Sequence, residues 1–124
     1  MKRAIPLLLL VFVVGCRTKL NDESSMTLNP GDIKSREIDA ISGEQKVNIS
    51  AKADSGEFDI YFFLAKDQTE VEKNPAKAGA KILDKKLKTG EATLSATVPA
   101  NEKATVMLMP AGNKKAEVKL KIAN

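Results

Sequence analysis

Cys16 is the single thiol in a chain of 124 residues that contains no histidine. Those two facts set the limits of the available chemistry. Without imidazole there is no His-based triad, no imidazole metal ligand and no proton shuttle working near neutral pH. A lone cysteine closes no disulfide within the chain. The sequence also holds no Ser-x-x-Lys, no Gly-x-Ser-x-Gly and no Gly-rich loop of the kind that cradles phosphates. Carboxylates remain, and Asp54, Glu57 and Asp59 gather closely around Gly56. Acids so placed are the only calcium candidates, since Ca²⁺ takes six to eight hard oxygen ligands. Their spacing is not that of an EF-hand loop, and an exposed β-turn accounts for them without a metal, so neither a metal site nor catalysis is expected.

The position of Cys16 says more than its chemistry. Met1-Lys2-Arg3 is a short basic start, and residues 4–14 are uncharged and mostly apolar. The run matches the hydrophobic region of a signal peptide and falls short of the roughly 20 residues a spanning helix needs. An ordinary secretory leader closes with an Ala-x-Ala type site, which is absent, and a core strand does not follow a basic start at the extreme terminus.

Val13, Val14, Gly15 and Cys16 read aliphatic, aliphatic, glycine, cysteine. The pattern resembles the lipobox of bacterial lipoproteins, position by position. The resemblance implies a diacylglycerol thioether on Cys16, cleavage between Gly15 and Cys16, and acylation of the new amino terminus. Two or three acyl chains hold a protein stably on a bilayer where one is marginal. The thiol is then occupied by lipid, and no cysteine nucleophile is left. Residues 1–15 read as the signal peptide. Residues 16–25 read as the lipidated cysteine and a polar tether, RTKLNDESS, that reaches about 30 Å when extended at roughly 3.3–3.6 Å per residue. Enteric lipoproteins with Asp directly after the lipidated cysteine tend to stay in the inner membrane. Arg17 stands there instead, and the resemblance implies an outer-membrane anchor facing the periplasm. Beyond that lipid no cofactor is expected.

The charge balance changes once the leader is removed. The full chain has 20 basic and 16 acidic residues, a formal charge of +4. Lys2 and Arg3 belong to the leader, so the mature chain carries 18 against 16, or +2. Much of the basicity is therefore an export signal, and no nucleic-acid partner is expected, because phosphate-driven binding needs a clustered basic face.

The elements that must carry any function are strands. Val47, Ile49, Ala51 and Ala53 alternate with Lys46, Asn48, Ser50 and Lys52, giving one apolar and one polar face. Ala92, Leu94, Ala96 and Val98 repeat the pattern, as do Ala116, Val118, Leu120 and Ile122. Phe58, Ile60, Phe62 and Leu64 form a row whose opposite face also carries Tyr61 and Phe63, and Thr105 to Met109 is apolar on both sides, so both segments read as strands covered twice. Turn residues stand between the rows, as in Asn29-Pro30-Gly31-Asp32, Ser42-Gly43, Asp54-Ser55-Gly56-Glu57, Thr89-Gly90, Pro99-Ala100-Asn101 and Pro110-Ala111-Gly112-Asn113. This spacing predicts an all-β fold over residues 26–124, an antiparallel, jelly-roll-like β-sandwich of about seven or eight strands.

Residues 67–79 break the pattern. DQTEVEKNPAKAG is polar and interrupted by Pro75, so it reads as a long surface loop with one helical turn, in which Asp67 and Glu70 have the spacing of a cap. Long loops often carry function, which makes Asp67, Glu70, Glu72 and Lys73 a possible contact surface, though a plain connector is the commoner outcome.

A second resemblance covers residues 28–64 and 91–122. The Leu-x-Pro-Gly entry, the Gly43-Glu44 turn into Val47-Asn48-Ile49-Ser50, the Phe58-to-Phe63 strand and the Pro-Ala-Gly-Asn turn are similar to the pre-peptidase C-terminal domains of secreted bacterial peptidases. That family implies a non-catalytic accessory or binding domain, sometimes with calcium or glycan contacts. No tryptophan is present for stacking sugars. Tyr61 and Phe63 could do so, but a second packed layer accounts for them more simply. Lys46, Lys52, Lys114, Lys115, Lys119 and Lys121 fall on outward-facing positions. They would make a stripe for anionic headgroups if their strands adjoin, or would simply keep the sheets soluble and their edges unpaired. The sequence thus points to a membrane-anchored, non-catalytic binding or structural module of the cell envelope, engaging an envelope protein or a surface polymer. The alternative is a periplasmic inhibitor that inserts the 66–79 loop into a hydrolase.

Overall fold

The computed structural model describes residues 20–124. The leader and the Val13-Val14-Gly15-Cys16 motif lie outside the described residues. Eight antiparallel strands are found among those described: β1 (Asn21–Leu28), β2 (Lys34–Ile38), β3 (Gln45–Ser55), β4 (Phe58–Leu64), β5 (Ile82–Thr89), β6 (Glu91–Val98), β7 (Ala104–Pro110) and β8 (Ala116–Ala123). They form two four-stranded sheets, sheet I in the order β1-β8-β3-β6 and sheet II in the order β2-β7-β4-β5. First pairs with last, second with seventh, third with sixth and fourth with fifth. This is the pairing of a long hairpin rolled up on itself, which is the jelly roll.

The strands form where alternation lets one face enter the core. On β3, Val47, Ile49 and Ala51 are buried while Lys46, Asn48, Ser50 and Lys52 are exposed, and β8 repeats this with Ala116, Val118, Leu120 and Ile122 inside. These side chains meet Phe58, Ile60, Phe62, Val106 and Leu108 from sheet II in the inter-sheet core. Each such burial is worth about 1.5–3 kcal/mol. The doubly apolar segments, β4 and β7, are the two central strands of sheet II. Their outward residues Tyr61, Phe63 and Met107 enter a second, smaller core with Val71 and Ala78, on the far side of that sheet.

Two boundaries differ from the sequence reading. Asn21 to Ser25, assigned above to the tether, form the first part of β1 and pair with β8 from Asn21↔Ala123 to Ser25↔Lys119. Strands β2 and β5 likewise lack a clean apolar row, yet pair with β7 and β4. All three are edge strands. Their backbones bond on one side only, and β1 fully buries a single side chain, Leu28. Polar composition therefore does not exclude them from a sheet, and charged residues protect their open sides. The second difference is in the 65–81 connection, which is a chain of 3₁₀ turns (Ala65–Asp67, Pro75–Lys77, Gly79–Lys81) around helix α1 (Gln68–Lys73). The helix stops before Pro75, but the Asp67 side chain makes no capping bond. Its carboxylate faces Lys81 Nζ at 3.8 Å instead.

Candidate functional site

Two neighbouring strands of sheet I decide what stands on its outer face. Antiparallel partners share a face, so β3 and β8 place Lys52 directly opposite Lys119 and Ser50 opposite Lys121. Strand β1 sets Ser25 beside Lys119 and Glu23 beside Lys121, while β6 sets Glu91 beside Lys52 and Thr93 beside Ser50. Two rows thus cross the sheet: Ser25, Lys119, Lys52, Glu91, and Glu23, Lys121, Ser50, Thr93. Together they line a groove of about 570 Å³, bordered also by Ser24, Ala51, Ala92 and Leu120, the last three with their side chains in the inter-sheet core.

The charges in this groove are unevenly matched. Lys121 Nζ lies 3.9 Å from Glu23, a loose pair with both side chains well exposed. Lys52 and Lys119 form no ion pair among the described residues, although like charges directly opposite one another on adjacent strands repel. Lys46 shares this face, opposite Thr97, but lies outside the groove lining. Of the six lysines grouped in the sequence, Lys52, Lys119 and Lys121 come together in the groove, Lys46 only shares their face, and two stand apart. Lys114 lines a separate hollow with Gly56, Glu57 and Asn113, and Lys115 pairs with Glu117 at 3.4 Å. The shared face is not uniformly basic, because Glu23, Glu91 and Glu117 stand among the lysines.

The calcium candidates do not converge. Asp59 accepts the backbone N–H of Lys88 at 2.8 Å. Glu57 lines the hollow with Lys114, and Asp54 borders a third depression beside Met26, Thr27 and Glu117. Among the described residues no three acids, histidines or cysteines stand close enough to hold a metal. A two-residue turn with a reversed chain sends successive carboxylates to different sides, which adjacency in sequence conceals.

The 65–81 connection is a packed cover. Val71 and Ala78 are buried against Tyr61, Phe63 and Met107. Lys81 Nζ donates to Glu70 at 3.0 Å, and the Glu70 hydrogen bond and charge hold its pKa above the ordinary value. Gln68 donates to Glu72 at 2.6 Å. Thr105, fully buried, reaches Gln68 Oε1 at 3.4 Å. Of the four loop residues singled out, Asp67 and Glu70 are engaged by Lys81, Glu72 by Gln68, and Lys73 is exposed. Phe63 has no exposure and Tyr61 only 7 %, so neither ring is offered to a ligand as the contact reading requires. Burial, and secondarily the Asp59 charge, raise the Tyr61 pKa.

Ser25, Ser50, Thr93, Glu23 and Glu91 escaped the sequence reading. Alternation marks each as outward-facing on its own strand, but only the cross-strand register makes them neighbours. No protein-family model matches the chain, and no curated protein shows significant similarity to it.

Proposed function

We propose that this chain is a lipid-anchored, non-catalytic binding module of the bacterial cell envelope, held at the outer membrane by Cys16 and facing the periplasm. The observation that carries the binding role is the open outer face of sheet I with its groove, in contrast to sheet II, whose outer face is packed under the 65–81 cover. The lipobox supports the anchor. The early start of β1 supports a close stance on the bilayer, because residues 17–20 alone separate Cys16 from Asn21 and span at most about 18 Å at 3.6 Å per residue.

Leu20 is tied to Asn124 by reciprocal hydrogen bonds, Leu20 N to Asn124 Oδ1 at 2.8 Å and Asn124 N to Leu20 O at 3.2 Å. Asn124 also meets Gln45, which donates to Asp39, and Ala65 bonds to Lys103 at the same end of the sandwich. A tether this short keeps that end, including the start of the 65–81 cover, toward the lipid. The inhibitor reading needs a free, protruding 66–79 loop, so the packing of Val71 and Ala78 favours the binding module.

Substituting Cys16→Ala tests the anchor: palmitate labelling disappears and the protein leaves the membrane fraction. Persistent labelling refutes it. For the binding role, photocrosslinkers at Ser50 and at Lys73 in intact cells are expected to give an adduct from Ser50 only. A hydrolase adduct from Lys73 would establish the inhibitor instead.

A further inference from the structure

Resting on the reading of the domain as a binding module, we infer that the sheet I groove takes an acidic polysaccharide, with a sugar carboxylate seated between Lys52 and Lys119. The geometry supplies the reason. These two lysines stand directly opposite each other on β3 and β8, and neither is paired to a carboxylate among the described residues. Adjacent antiparallel side chains are about 4.5–5.5 Å apart at Cβ, so one carboxylate can accept from both ammoniums and remove their repulsion. Hydroxyls flank this centre, with Ser25 beside Lys119 and Ser50 and Thr93 in the next row. Hydroxyl donors and acceptors beside a cationic centre match a polyhydroxylated chain that bears occasional acids.

The rim argues against a membrane as the occupant. Glu23 and Glu91 stand on the two edge strands, on either side of the lysines. A flat anionic bilayer would set its headgroups against these acids as well as against the lysines, whereas a narrow chain can lie between them. The groove, at about 570 Å³, has the size of an ordinary small-ligand site and accommodates a short stretch of polymer. No aromatic ring lines it. Binding is then polar and electrostatic, and weakens as salt screens the exposed lysines.

The test uses the lipidated mature protein in neutral detergent micelles, with polygalacturonate as the acidic polymer and dextran as its neutral counterpart. Calorimetric titration at low salt is expected to show binding to polygalacturonate and none to dextran. The double variant Lys52→Gln/Lys119→Gln should weaken it at least tenfold, and Lys46→Gln, on the same face but outside the groove, less than twofold. Without polymer, Lys119→Gln should raise the melting temperature by about 2–4 °C by ending the repulsion. Equal weakening by Lys46→Gln, absence of polygalacturonate binding, or retention on phosphatidylglycerol vesicles that exceeds retention on phosphatidylcholine vesicles and that the polymer cannot reduce would each overturn the inference. If polygalacturonate fails while a crosslinker at Ser50 captures a protein in cells, the acidic-polymer assignment falls and the binding module stands; if both fail, both fall.

Discussion

Replacing Gly56 with alanine probes the close approach of the β3–β4 turn to the start of β8, one of the groove strands. Gly56 lies in the β3–β4 turn at φ +77°, and an added Cβ would sit 2.5 Å from the carbonyl oxygen of Lys115 and 3.0 Å from Ala116 Cα. Both are backbone atoms at the start of β8, so no flexible side chain can swing away. The left-handed conformation costs alanine about 1–2 kcal/mol. Forcing the backbone apart adds roughly 1–3 kcal/mol, by analogy with overpacking. The stiffer unfolded chain returns about 0.4–1 kcal/mol. The net loss is about 3 kcal/mol, and a domain of this size shifts by roughly 4–8 °C per kcal/mol, so the melting temperature should fall by about 15 °C. Thermal unfolding followed by circular dichroism measures it. Gly90→Ala is the control, because its added Cβ meets nothing within 4 Å. A melting temperature for Gly56→Ala within 4 °C of that control would refute the close approach of the turn to β8.

Other outcomes are open to equally direct measurement. Tyr61 is the single tyrosine, and no tryptophan is present, so its ultraviolet absorbance titrates alone. Its pKa stands above the ordinary 10.0 through burial and the Asp59 charge. The folded state therefore keeps a proton that the unfolded state releases, and the associated stability, intact below pH 10, declines as pH rises toward the folded-state value. Asp59→Asn should lower the titration midpoint. Val71→Ala, which empties the anchor of the 65–81 cover, should cost about 2 kcal/mol and open residues 65–81 to limited proteolysis before the sheets unfold. Lys88 holds φ 50°, a conformation glycine adopts freely, so Lys88→Gly should leave stability unchanged or raise it by up to about 1 kcal/mol in denaturant unfolding.

How much was legible in the sequence followed from how local the cause is. The alternation of Val47, Ile49 and Ala51 and the double apolarity of Phe58 to Leu64 are one-dimensional records of burial, and both were realised. Pro75 ended the only α-helix described where its ring forbids continuation. β1, β2 and β5 were obscure because they are held by backbone bonds and bury almost nothing, only Leu28 on β1, only Ile38 on β2 and no side chain fully on β5, whereas β6, also at an edge, buries Ala92, Leu94 and Val98 and shows its alternation. The same holds for the acids: Asp54, Glu57 and Asp59 are close in sequence but separated in space, since a reversing turn directs them apart.

By itself the sequence determined the chemical inventory, the alternation that makes an all-β sandwich and the places where the chain must turn, because these depend on residue type and short-range spacing. The tertiary structure alone decided which strands are neighbours and in what register. It thereby set Lys52 against Lys119, removed Tyr61 and Phe63 from the surface, and made the 65–81 segment a cover. Cross-strand pairs bring together residues far apart in the chain, and the alternation of any one strand carries no information about its partner.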